Sequence, residues 1–108
     1  AAPGRALLLP PQVKRPHMGW NDVALQYDHP LFEGVRSGSY FYFVHSYYGV
    51  PDDQSLVLGT TDYGLSFCSV IAKGNVVATQ FHPEKSGALG LRLYENFLNS
   101  MVKRSAGG

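Results

Sequence analysis

Cysteine is nearly absent, with Cys68 the only one in 108 residues. A lone thiol closes no internal disulfide and builds no multi-cysteine metal site, so a reducing, cytoplasmic setting is the expectation. Long apolar runs are missing too. The stretch Ala6 to Leu9 falls far short of the roughly 20 residues a membrane helix needs. Neither sign of charge is gathered into blocks, and nine Lys and Arg against eight Asp and Glu leave a net charge of +1. That removes the electrostatic footprint of a nucleic-acid binder and any acidic interaction tail. No repeat or low-complexity tract is present. The opening AAPGRALLLPP has neither an initiator Met nor a charged n-region, so it does not look like a signal peptide. It reads as a chain entered partway, a fragment or a processed half.

What is there fits one modest domain. Apolar residues make up 44% and charged residues 16%, which excludes disorder driven by low hydrophobicity. A chain this size buries roughly 65% of its unfolded surface. Short strands are expected at Ala6–Leu9, Tyr40–Ser46, where aromatic and β-branched residues run without a breaker, and Leu56–Thr61. Leu65–Ala72 and Val76–Phe81 flank Lys73-Gly74-Asn75 and predict a hairpin. An irregular loop is expected around Arg15–Asn21, and Pro30–Phe32 has room for one short turn. From Ser86 to Lys103 the period becomes helical. Tyr94, Phe97, Leu98, Met101 and Val102 fall at helical spacing on one face, with Ser86 as N-cap. Strands first and a covering helix last predict an α/β or α+β fold, with the helix packed on the core.

Chemistry concentrates in Gln80-Phe81-His82-Pro83-Glu84-Lys85-Ser86-Gly87, at the seam between a strand and the final helix. Residues two apart on an extended backbone point to the same side, so His82 and Glu84 share a face. Pro83 disfavours helical geometry at His82 and keeps the pair extended until the helix starts. A carboxylate beside an imidazole accepts its N–H, sets the tautomer and stabilises the imidazolium, as in the orienter–base half of a catalytic triad. The alternative is a surface loop with Glu84 favouring the helix N-terminus. A zinc-deaminase reading of His-x-Glu fails for want of Pro-Cys-x-x-Cys. A metal site from His17, His45 and Glu84 has no supporting spacing, and no cofactor is expected.

The string QFHPEKSG resembles the His/Glu segment of class I, triad-type glutamine amidotransferases. RPHMGWNDV (Arg15–Val23), YFYFVHSYYG (Tyr40–Gly49) and LGTTDYG (Leu58–Gly64) make the chain similar, from about Gly4 to Val102, to the glutaminase subunits of imidazole glycerol phosphate synthases. The resemblance implies the C-terminal half of one such α/β domain, with its mixed sheet and a terminal amphipathic helix. It implies His82 as general base and acid, with Glu84 as its orienting carboxylate. The reaction would be glutamine hydrolysis, with the ammonia channelled to a (β/α)₈ barrel cyclase subunit in histidine biosynthesis. That family's nucleophilic cysteine sits in a Gly-rich elbow in the first half of the domain, and no such elbow occurs here. Cys68 lies mid-strand without one and reads as a packing residue. Lacking the family's early strands, the chain by itself would leave a sheet edge and part of its core exposed.

Further positions follow from the same resemblance. Ser46 and Tyr47 match the segment whose backbone contacts the glutamine α-amino and α-carboxyl groups, or else they simply end a strand. His45 before them reads as a structural, hydrogen-bonded histidine. Met18, Gly19, Trp20 and Asn21 match the loop facing the cyclase near the ammonia exit, with Trp20 either an interface anchor or a core residue. Tyr42 and Lys85 match partner-facing positions. An ion pair of Lys85 at that rim would contribute about 1 kcal/mol or less. Other readings of the chain are a docking module without a nucleophile and an amidotransferase with a different acceptor.

Overall fold

A computed structural model describes residues 4–74 and 76–107. The strands are β1 (Gly4–Leu8), β2 (His17–Leu25), β3 (Ser39–His45), β4 (Tyr47–Pro51), β5 (Val57–Asp62), β6 (Ser66–Lys73) and β7 (Val76–Thr79). Helix α1 (Gly87–Gly107) follows them. Single 3₁₀ turns occupy Pro30–Phe32, Gln54–Leu56 and Pro83–Lys85, the first as expected from its proline. A five-stranded sheet runs in the order β3-β2-β5-β6-β7, and β1 and β4 form a separate pair. Every pairing described is antiparallel. The α/β architecture with a helix after the strands is the expected one.

The aromatic run of β3 explains the core. Phe41 and Phe43 alternate with Tyr40 and Tyr42, so both phenyl rings enter one face of the sheet and are almost wholly buried. Phe81 stacks on Phe41 at 4.4 Å and meets Phe43 edge-on at 5.7 Å. Phe67 of β6 meets Phe43 edge-on at 6.1 Å. Such pairs contribute roughly 0.5–1.5 kcal/mol each beyond the area they bury. In β5, Gly59 lies against the buried Val23 and Val70. A Cβ there would meet the side chains of Val23 and Val70 at 2.8 and 3.0 Å, so the sheet closes only over a glycine.

Two expectations fail here. The loop around Arg15–Asn21 is a strand from His17 onward, in register with β3 from His17↔His45 to Val23↔Ser39. Its inward positions, His17, Gly19 and Asn21, are polar or carry no side chain, so apolar alternation is hidden in the sequence. Pairing with β3 overrides that weak local signal. The second failure concerns α1. Tyr94, Phe97 and Leu98 are exposed, and the packed face is Leu89, Gly90, Leu93 and Asn96. Asn96 decides the orientation. Its amide donates to the carbonyls of Leu31 at 2.7 Å and Glu33 at 2.9 Å, both at the 3₁₀ turn. Arg92 Nε also donates to the Glu33 carbonyl, at 3.2 Å, so it is the Leu31 carbonyl that depends on Asn96. Gly90 faces the Pro83 carbonyl too closely for any Cβ. The side chains of Met101 and Val102, and Asn75 of the β6–β7 turn, lie outside the described residues. Gly74 of that turn has φ +59°, the left-handed conformation expected there.

Candidate active site

The segment after β7 is fixed to the sheet at almost every residue. Gln80 N–H donates to the Ser69 carbonyl of β6 at 2.8 Å, and His82 N–H donates to the Tyr42 carbonyl of β3 at 2.9 Å. Between them Phe81 is driven into the core. These three residues cross from β6 to β3 and curl the sheet around the aromatic cluster. Ser86 completes the clamp. Its hydroxyl donates to the His82 carbonyl at 2.7 Å and accepts from Tyr42 N–H at 2.9 Å. Ser86 therefore does not use its hydroxyl as the N-cap of α1. Its carbonyl accepts from Gly90 N–H at 3.4 Å, the first helical bond.

His82 is extended, at φ −101° and ψ 100°, as the following proline demands. The chain does not stay extended beyond it, because a 3₁₀ turn starts at Pro83. The two side chains still meet: His82 Nδ1 lies 3.0 Å from Glu84 Oε2. A carboxylate only accepts, so the ring hydrogen sits on Nδ1 and Nε2 carries the free lone pair. The hydrogen bond from His82, then one from a backbone N–H, holds the Glu84 carboxyl below the usual carboxylate range. Both side chains reach solvent, at 38% and 54% exposure, so a reactant can approach Nε2. The arrangement suits proton transfer at Nε2 with Glu84 fixing the ring.

The residues matched to a partner surface divide between two sides of the sheet. Met18 and Trp20 face outward, 62% and 56% exposed. Trp20 is thus no core residue. It lies opposite Tyr42 in register and meets that ring edge-on at 5.9 Å. Trp20 also lies nearest to the open side of Gly87, and Lys85 is exposed in the turn between. Trp20, Tyr42 and Lys85 therefore surround the His82 segment. Asn21 goes elsewhere. Its amide donates to the Asp62 carbonyl at 2.9 Å and meets His17 Nε2 at 3.3 Å on the inner face. Gly19, on that same alternation, has φ +128°. Ser46 forms the bend between β3 and β4 and accepts from Leu9 N–H at 2.8 Å, and Tyr47 opens β4 with its side chain exposed. His45 is hydrogen-bonded as expected, to His17 at 2.9 Å and the Tyr47 carbonyl at 2.8 Å.

Cys68 sits within β6, alternating with core-facing Phe67, and its thiol bonds the Val70 carbonyl at 3.4 Å. Burial pushes that thiol up from its ordinary pKa, so it stays protonated at neutral pH. Sequence reading missed Ser86 as a clamp and His17 as the partner of His45. A serine four residues after His82 is a faint local signal for the first. His17 and His45 are 28 positions apart, and no local pattern joins them. Among the described residues no group of three or more His, Cys, Asp or Glu is placed to hold a metal. No described helix is long and apolar enough to cross a membrane.

Residues 4–101 match the family of class-I glutamine amidotransferases, which covers nearly the whole chain. The chain belongs to that family. Within it, the chain is 54% identical over 94 residues to an imidazole glycerol phosphate synthase subunit HisH of Dehalococcoides mccartyi, spanning 87% of this chain and 46% of that protein. It is 61% identical over 85 residues to the HisH subunit of Methanocaldococcus jannaschii (79% of this chain, 43% of that protein). With the HisH subunit of Halobacterium salinarum it shares 57% over 99 residues, or 90% and 45% of the two chains. The chain thus spans less than half the length of these HisH subunits.

Proposed function

We propose that the chain is the C-terminal portion of a class I glutamine amidotransferase domain, and that the complete protein is the glutaminase subunit of an imidazole glycerol phosphate synthase. The observation that carries this is the 3.0 Å bond from His82 Nδ1 to Glu84, which leaves Nε2 free at an accessible strand–helix seam. The HisH names of relatives at 54–61% identity support the choice of subunit. Two surfaces support a larger domain. Beta strand β7 ends the sheet with no further strand beside it among the described residues. Leu91, Tyr94, Phe97 and Leu98 leave α1 apolar toward solvent, an area that calls for cover.

In the proposed reaction His82 Nε2 takes the proton of a cysteine thiol from the remainder of the domain, and the resulting thiolate attacks the glutamine side-chain carboxamide carbon. His82 Nε2 hands a proton to the departing nitrogen, which leaves as ammonia. The same nitrogen then takes a proton from water, whose oxygen attacks the thioester carbon and releases glutamate and the thiolate. Glu84 stabilises the imidazolium in both steps. Ser46 and Tyr47 would hold the α-amino and α-carboxyl groups through their backbone. Met18, Gly19, Trp20, Asn21, Tyr42 and Lys85 would line the side turned to a (β/α)₈ barrel cyclase, which consumes the ammonia. A cytoplasmic location follows from that biosynthetic role.

The test is glutamate release from glutamine by the full-length protein, alone and with a barrel cyclase. Hydrolysis that rises when the cyclase is added is expected. A stable complex with no hydrolysis would favour a docking module, and hydrolysis indifferent to any barrel cyclase would favour another acceptor.

A further inference from the structure

A line of directional hydrogen bonds, half-buried at its middle and exposed at both ends, runs from β5 to the bend between β3 and β4. Its direction is fixed at both ends. The Tyr47 carbonyl only accepts, so His45 Nδ1, 2.8 Å away, carries the hydrogen. In the neutral ring His45 Nε2 then accepts, and its partner at 2.9 Å, His17 Nδ1, donates. His17 Nε2 is left to accept from the Asn21 amide at 3.3 Å. Asn21 cannot be turned around. Its Nδ2 donates to the Asp62 carbonyl at 2.9 Å while its Oδ1 accepts from Asp22 N–H at 2.8 Å. Reversing either imidazole breaks two bonds, and reversing the Asn21 amide breaks three.

Packing holds the line in place. The His17 ring is stacked between Tyr63, at 3.9 Å and 15°, and Phe43, at 4.9 Å and 18°. Only 3% of the residue is exposed. His45 in turn faces Phe67 at 5.2 Å. Burial lowers the pKa of both rings; the neighbouring His45 lowers that of His17 further, and for His45 burial and the nearby His82 outweigh the opposing bond to the Tyr47 carbonyl. The line ends where the chain leaves the five-stranded sheet: β3 stops at His45, Ser46 bends, and β4 starts at Tyr47.

We propose that His45 and His17 are positioning residues for glutamine binding, holding the Ser46–Tyr47 backbone in the orientation that receives the substrate's α-amino and α-carboxyl groups. This rests on the amidotransferase reading given above. His45 fixes the Tyr47 carbonyl directly, and His17, locked between two aromatic rings, fixes His45. Neither ring exchanges a proton with substrate.

The test uses the full-length protein and glutamine itself. His45→Ala should raise the glutamine KM about ten-fold while kcat changes by no more than about three-fold, the loss of one positioning hydrogen bond. His45→Asn can place an amide N–H near the same carbonyl and should recover most of that loss. His17→Phe keeps the stacking but removes the donor, and should raise KM less than His45→Ala does. An unchanged KM in His45→Ala, a fall in kcat with KM constant, or no rescue by Asn overturns the proposal. The ¹⁵N resonances of the two imidazoles in the unmodified protein give a reading free of folding effects. Protonated Nδ1 and bare Nε2 on both rings are expected, and the opposite tautomer on either ring overturns the line. If the parent protein hydrolyses no glutamine either alone or with a barrel cyclase, the amidotransferase reading fails, whereas the tautomers still report on the hydrogen-bond line.

Discussion

Replacing His82 by Ala in the full-length protein is expected to lower kcat for glutamine hydrolysis by about a thousand-fold or more. In the proposed reaction the ring serves twice, giving a proton to the departing nitrogen and taking one from water, so its removal would damage both halves of the cycle. Its backbone is tied to Tyr42 and Ser86 through main-chain atoms, and those bonds survive the truncation. Phe81 keeps the segment in the core. The loss should therefore fall on kcat with little change in KM or thermal midpoint. Glu84→Gln should be milder, roughly 10- to 100-fold, since the carboxylate is exposed and water can replace part of its influence. Steady-state glutaminase assays of the three proteins check this. Near-parental turnover in His82→Ala would remove the ring from the mechanism.

Acid should destabilise the fold well before the carboxylates titrate. Burial between Tyr63 and Phe43, reinforced by the neighbouring His45, lowers the His17 pKa from 6.5 to about 4. The folded state keeps this ring neutral where the unfolded chain takes up a proton. Its contribution is complete above pH 6.5 and is lost as pH falls toward 4, amounting to about 3 kcal/mol over that window. His29 and His45 are also shifted down by burial and add to the same slope. Urea unfolding at pH 7.5, 6.0, 5.0 and 4.5 should show the midpoint falling steadily. His17→Phe should be less stable at pH 7.5, because His45 and Asn21 lose a partner, yet show a shallower decline. Equal slopes in the two proteins would contradict this origin.

Much of this was legible in the chain. Tyr40–Ser46 announced β3 because its aromatic alternation is uninterrupted, and Lys73-Gly74 announced the turn into β7. The pairing of His82 with Glu84 could be read from a spacing of two, even though a 3₁₀ turn rather than an extended run brings the side chains together. The illegible parts depend on partners distant in sequence. Strand β2 exists because β3 lies beside it, and its inward His17 and Asn21 look like loop residues until Asp62 and His45 are seen to bond them. The helix was found by its period, but its buried side was not. Asn96 packs because the Leu31 carbonyl needs a donor and the Glu33 carbonyl accepts a second bond, while Tyr94, Phe97 and Leu98 are exposed. Apolar counting ranks those residues the other way round.

The central claim is that His82 and Glu84 serve a thiolate that Cys68 does not supply. It is tested most directly by treating the full-length protein with an electrophilic ketone analogue of glutamine and locating the adduct by peptide mass spectrometry. A single adduct is predicted on a cysteine outside these 108 residues, formed far more slowly in His82→Ala. An adduct on Cys68, or labelling of the outside cysteine at the same rate without the His82 ring, would contradict it.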